Sequence, residues 1–89
     1  MSIFSKKYEY VIMADETANF MVQRFADEHN ERGKPYTVDG HHYGVYMVSF
    51  TSREKPERMR KIIKRAFDKN YKVEHCNANE HLIYVSKKD

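Results

Sequence analysis

The residues able to hold a metal or attack a substrate are five histidines and one cysteine, Cys76. His41 and His42 follow an Asp39-Gly40 turn signal, while His75, Cys76 and His81 flank a second turn around Asn77-Ala78-Asn79-Glu80. A structural metal needs several donors converging on one point. Adjacent strand residues point to opposite faces, and a His-Cys pair followed by histidine after four intervening residues is not a zinc spacing. The same divergence separates Cys76 from His75 as nucleophile and base, leaving His81 across the hairpin as the nearby replacement. Paired acids occur as Asp15-Glu16 and Asp27-Glu28, adjacent on a helical segment and directed to solvent rather than into a cleft. His29 ends a helical stripe as a boundary residue. No catalytic residue, metal site or cofactor is assigned, and the expectation is a non-enzymatic protein that acts by binding.

The binding chemistry is cationic. The formal net charge of +3 is the remainder of two opposed segments. Residues 14–32 carry five acids against Arg24 and Arg32, giving −3, whereas residues 53–72 carry nine bases against Glu54, Glu57 and Asp68, giving +6. A local excess of this kind attracts phosphates, because neutralising them releases condensed counterions. Arg58, Arg60, Lys61, Lys64 and Arg65 are the candidate nucleic-acid contacts, with Tyr10 and Tyr43 as stacking groups on an open sheet face. The strand His41 to Val48 keeps only the aromatic-glycine step of the RNA-recognition strand motif, so no family is assigned.

A competing reading makes the same charge a solvated helix surface. Glu54 with Arg58, Glu57 with Lys61 and Lys64 with Asp68 are i,i+4 pairs, each stabilising by about 0.2–0.5 kcal/mol. Arg60 or Lys69 could also meet Glu28 or Glu31 across the groove between the helices. A second functional class is a protein-binding regulator or inhibitor, monomeric or a homodimer through its sheet face. Its candidate contacts are Phe20, Tyr8, Val45 and Met47, where Phe20 lies on a helical wheel opposite the apolar stripe, among Glu16, Arg24 and Asp27.

These residues need elements to position them. Residues 6–13 alternate as a strand. Asp15 caps a helix running to about Glu31, with Ala18, Met21, Val22, Phe25 and Ala26 as its apolar stripe, stopped by Gly33-Lys34-Pro35. A short Tyr36-Thr37-Val38 strand turns at Asp39-Gly40 into a second arm, His41 to Phe50. Thr51-x-x-Glu54 has capping-box spacing, Pro56 suits a first turn, and Met59, Ile62, Ile63, Ala66 and Phe67 form the second stripe until Lys69-Asn70. Two further strands are Tyr71 to Cys76 and His81 to Ser86. The order predicts an α+β, ferredoxin-like βαββαβ sandwich with both helices on one face of an antiparallel sheet. Strands one and three are then central, and the extra C-terminal strand adds as an edge beside the fourth, guarded by Lys87-Lys88.

Eighty-nine residues, 33% charged and 40% hydrophobic, suit one domain, residues 1–89, with a small core. Seven Tyr and five Phe are too many large buriable groups for a disordered polyelectrolyte. The longest apolar run, Val11 to Ala14, falls far short of the roughly 18 residues of a membrane span, and no secretory leader pattern precedes it. A lone cysteine offers no internal disulfide, so a reduced cytoplasmic setting is expected. The favoured function is a small basic module engaging an anionic surface, either nucleic acid or a nucleic-acid-handling protein complex.

Overall fold

The computed structural model describes residues 6–31, 36–42, 44–76 and 79–88, with 39–42, 79 and 80 described through the backbone. Tyr43 lies outside the described residues. Alternation along the first segment becomes β1 (Tyr8–Ala14), in which Tyr10, Ile12 and Ala14 are fully buried while Val11 and Met13 stay half-buried on the other face. The remaining elements follow as α1 (Asn19–His29), β2 (Thr37–His42), β3 (Val45–Ser52), α2 (Pro56–Phe67), β4 (Tyr71–Cys76) and β5 (Asn79–Lys87). Among the described residues the fold is α+β, with two helices and one five-stranded mixed sheet in the order β2-β3-β1-β5-β4.

That order corrects the expected ferredoxin-like arrangement. β5 does not add outside β4; it inserts between β1 and β4, parallel to β1 (Ile12 opposite Ile83, Ala14 opposite Val85) and antiparallel to β4. The sheet is therefore mixed rather than antiparallel, and β1 is its middle strand. Composition explains the exchange. β5 carries Leu82, Ile83, Tyr84 and Val85, apolar toward both faces, and buries Ile83 and Val85 completely. β4 exposes Lys72, Glu74, His75 and Cys76, which suits an edge.

Side chains from one sheet face and the helices form the core. Tyr10, Ile12, Ala14, Val48, Phe50, Ile83 and Val85 meet Ala18, Val22, Phe25, Ala26, Met59, Ile63 and Phe67. Tyr10 stacks on Phe50, and its hydroxyl donates to the Glu54 carbonyl, tying the middle strand to the segment that launches α2. The end of α1 is held to β3 by Glu31 N–H to Thr51 O at 2.8 Å and Thr51 N–H to Asn30 Oδ1 at 3.0 Å. No helix among the described residues is long and apolar enough to cross a membrane.

Three local expectations shift. The hairpin turn is not at Asp39-Gly40: β2 runs through those residues with a register shift between Asp39 and His41, and the chain reverses at Gly44, whose φ of +75° favours glycine. Thr51 does not cap α2 but belongs to β3, where it is buried; Lys55 stands at the N-cap and Pro56 in the first turn. α1 begins at Asn19, later than expected, although Asp15 still caps the preceding turn.

The Asp15 carboxylate joins two elements. Oδ1 accepts from the Ala18 N–H at 2.9 Å and the Thr17 hydroxyl at 2.7 Å, and Oδ2 accepts from the Lys87 N–H at 2.7 Å. Partial burial pushes its pKa up, but the hydrogen bonds from Lys87, Thr17 and Ala18 outweigh that and hold it below the ordinary 3.8. A depressed native pKa means that the stabilisation is complete above the unfolded value of about 3.9 and is lost as pH falls through the native one. Asp15→Asn should therefore flatten the acid limb of stability against pH in urea titrations; an unchanged limb would assign it to other carboxylates. Ile83→Ala should cost about 2–5 kcal/mol with an unchanged urea m-value, as expected for a cavity in a packed core.

Candidate functional site

The two stripes read from the sequence are wider than the core they fill. Met21 of α1 is 42% exposed, and Ile62 and Ala66 of α2 are not buried. The helices pack on different parts of the sheet, α1 over β3 and β1 and α2 over β4 and β5, and an open groove lies between them. Its volume is about 400 Å³, within the roughly 300–1,000 Å³ of small-ligand sites. Phe25, Ile62 and Ala66 supply its apolar lining, and Arg58, Lys61 and Arg65 its cationic side, facing Glu28 and His29 of α1. A second recess of about 240 Å³ shares Phe25, Glu28 and Ala66 and adds Met21, Arg24 and Phe67.

The sequence spacing produces this cationic wall. Positions 58, 61 and 65 recur at i, i+3 and i+7, one helix face, beside Ile62. Arg60 and Lys64, one turn apart, do not line the groove; the helical period turns them to the opposite flank of α2. The five bases singled out in the sequence therefore divide into a groove-facing three and an outward two.

Charge pairing leaves most of this wall unneutralised. Arg58 pairs with Glu54 at 3.3 Å, the one i,i+4 pair of the expected three found within 4 Å among the described residues. Lys61 and Arg65 have no ion pair within that distance there. Among the described residues neither Arg60 nor Lys69 forms an ion pair with α1, and Glu31 is met instead by Arg53 at 4.0 Å. Across the groove Glu28 is already paired with Arg24 at 3.6 Å. His29 stacks on Phe25 with ring centroids 4.0 Å apart, and its Nδ1 lies 3.0 Å from the Phe25 carbonyl. A carbonyl only accepts, so this contact is a hydrogen bond in the form of the ring that carries a proton on Nδ1.

The sheet candidates are redistributed. Tyr10 is completely buried, which removes it as a stacking group. Tyr8 sits on the helix-bearing face beside it, 6.4 Å between ring centroids, and so does not share a patch with Val45 and Met47, which strand alternation sends to the other face. That open face carries Val11, Met13, Met47, Leu82 and Tyr84 in neighbouring registers, with Met47 41% exposed. The terminal hairpin extends the sheet rather than covering it. Phe20 is 73% exposed and borders a shallow recess with Gln23, Arg24, Asp27 and Tyr36. His81 packs against Tyr10 with its Nδ1 3.0 Å from the Glu9 carbonyl, and no group of three metal-ligating side chains occurs among the described residues.

Phe25, His29, Ile62 and Ala66 are the site residues that sequence reasoning missed. The available signal was an apolar stripe continuing into basic positions on α2, which marks a helix face left incompletely packed. Because Lys61 and Arg65 form no ion pair among the described residues and the Arg58–Glu54 pair is exposed, the variant Arg58→Ala, Lys61→Ala, Arg65→Ala should change stability by no more than about 1 kcal/mol in urea, with an unchanged far-UV spectrum. A larger loss would make the three bases structural. Compared with protein-family models, curated proteins and solved structures, the chain matches none.

Proposed function

We propose that this protein is a non-enzymatic binding module that takes single-stranded nucleic acid into the groove between its helices. The observation carrying the reading is the pairing of three groove-facing bases, Arg58, Lys61 and Arg65, with an apolar lining of Phe25, Ile62 and Ala66. Phosphates suit the bases, with arginine offering bidentate donors. An unstacked base suits the lining, as in other proteins that bind single strands by joining a cationic track to apolar or aromatic platforms. A duplex keeps its bases stacked inside and reaches only the rim, so it gains charge contacts without the apolar ones.

A salt titration separates the two contributions. For three phosphate contacts on a single strand, log K should fall against log salt with a slope near −2, about −0.7 per contact. Lys61→Glu with Arg65→Glu should abolish binding to a single-stranded oligonucleotide, whereas Arg60→Ala with Lys64→Ala should weaken it modestly. Absence of binding to single strands at low salt contradicts the proposal.

A second reading, a protein-binding module, is supported by the open apolar face around Met13, Met47 and Tyr84 and by exposed Phe20. Methionine-rich faces adapt to partner shape, and an exposed aromatic is a common anchor. Met47→Glu and Phe20→Asp test it: both should leave oligonucleotide binding intact while removing a specific protein partner, and retention of that partner by both variants counts against it.

A further inference from the structure

We propose that two copies of the chain pair antiparallel through the free edges of their β4 strands, joining two five-stranded sheets into one. This is independent of the groove reading and uses the opposite flank of α2.

β4 ends the sheet, so among the described residues the backbone groups on its outer side have no strand to meet. The strand contains no proline, and its pairing with β5 is regular from Tyr71 to His75, the register shifting only before Cys76. The other edge, β2, is interrupted by a register shift between Asp39 and His41. The Lys87-Lys88 pair that would guard an outer strand closes and follows β5, an interior strand, with Lys88 Nζ donating to the Asp68 carbonyl just past α2.

Symmetry then selects a register. Alternate residues of a strand turn their N–H and C=O groups outward, so a two-fold antiparallel pairing must set a residue opposite itself. Pairing residue 73 with 74 would oppose an outward-facing amide to an inward-facing one. Three central choices remain. Lys72 on the axis opposes two lysines, and Glu74 on the axis opposes two glutamates, both unfavourable. Val73 on the axis sets each Lys72 opposite the other copy's Glu74, Val73 against Val73, and Tyr71 against His75. Lys72 and Glu74 already share a face, 3.6 Å apart in an ion pair, so the pairing creates a four-residue cluster of alternating sign. Exposed Lys72 and Glu74 and half-buried Val73 are thus self-complementary in one register.

The consequence lies on the helix side. α2 packs on β4 and β5, so the axis brings two basic helices side by side above one continuous sheet, lengthening the cationic surface. Their like charge opposes association and is screened at physiological ionic strength, where the Debye length is about 8 Å.

Sedimentation equilibrium at that ionic strength, on the whole chain, tests the register. The wild type should self-associate within the micromolar to millimolar range expected of a small interface. Lys72→Glu and Glu74→Lys should each weaken association about tenfold by opposing like charges, and the double exchange should restore it. Met47→Glu, on the open face, should have no effect. Val73→Cys in a Cys76→Ser background should form a disulfide dimer with oxidised glutathione, since opposed residues lie about 4.5–5.5 Å apart, within disulfide reach. A monomeric wild type, a double exchange that fails to rescue, loss of the dimer on Met47→Glu, or a folded Val73→Cys chain that does not cross-link would each overturn the proposal.

Discussion

Everything in this fold hangs on β1 being the middle strand. It pairs antiparallel with β3 on one side and parallel with β5 on the other, and its buried positions Tyr10, Ile12 and Ala14 are the central row of the core. A one-residue slip would turn that row to the opposite face and present Val11 and Met13 to the helices. Tyr10 fixes the choice twice, by stacking on Phe50 and by donating to the Glu54 carbonyl just before α2. Aromatic area and a satisfied hydroxyl thus come from one side chain, which explains why a strand tyrosine is spent on architecture rather than recognition.

The width of a five-stranded sheet follows from that central strand, and the groove follows from the width. Two helices lie over a sheet whose outer strands are separated by three others, α1 toward β3 and α2 toward β5 and β4. The space between them is not filled by their side chains, so Ile62 and Ala66 remain accessible beside Arg58, Lys61 and Arg65, while Phe25 lines the groove from an almost fully buried position. Cations beside apolar surface in a partly enclosed groove act through a lower effective dielectric than the same charges on a flat surface. The expected mutual neutralisation of the acidic and basic helices does not occur there, because Glu28 pairs with Arg24 and Glu31 reaches Arg53.

The strands and helices were legible because their periods are strong: Val48 and Phe50 alternate cleanly, and Met59, Ile63 and Phe67 repeat at helical spacing. Strand order was not legible. A sequence reads chain order, and placing β5 inside rather than outside β4 depends on comparing two neighbouring strands, one apolar on both faces and the other charged on one. The turn was not legible either, because Asp39-Gly40 is a strong hairpin signal, yet the chain uses Gly44 for the reversal. The site was half legible. Basic positions on α2 were visible, but which three of the five face the groove, and that Tyr10 is inaccessible, required the packing.

The central claim is that recognition belongs to the space between the helices. Amide chemical-shift mapping by heteronuclear NMR during titration with a single-stranded oligonucleotide addresses it most directly. Shifts should concentrate on Phe25, His29, Lys61, Ile62, Arg65 and Ala66, with Met13, Met47 and Tyr84 unmoved. Shifts confined to the open sheet face, or none at saturating oligonucleotide, would contradict it.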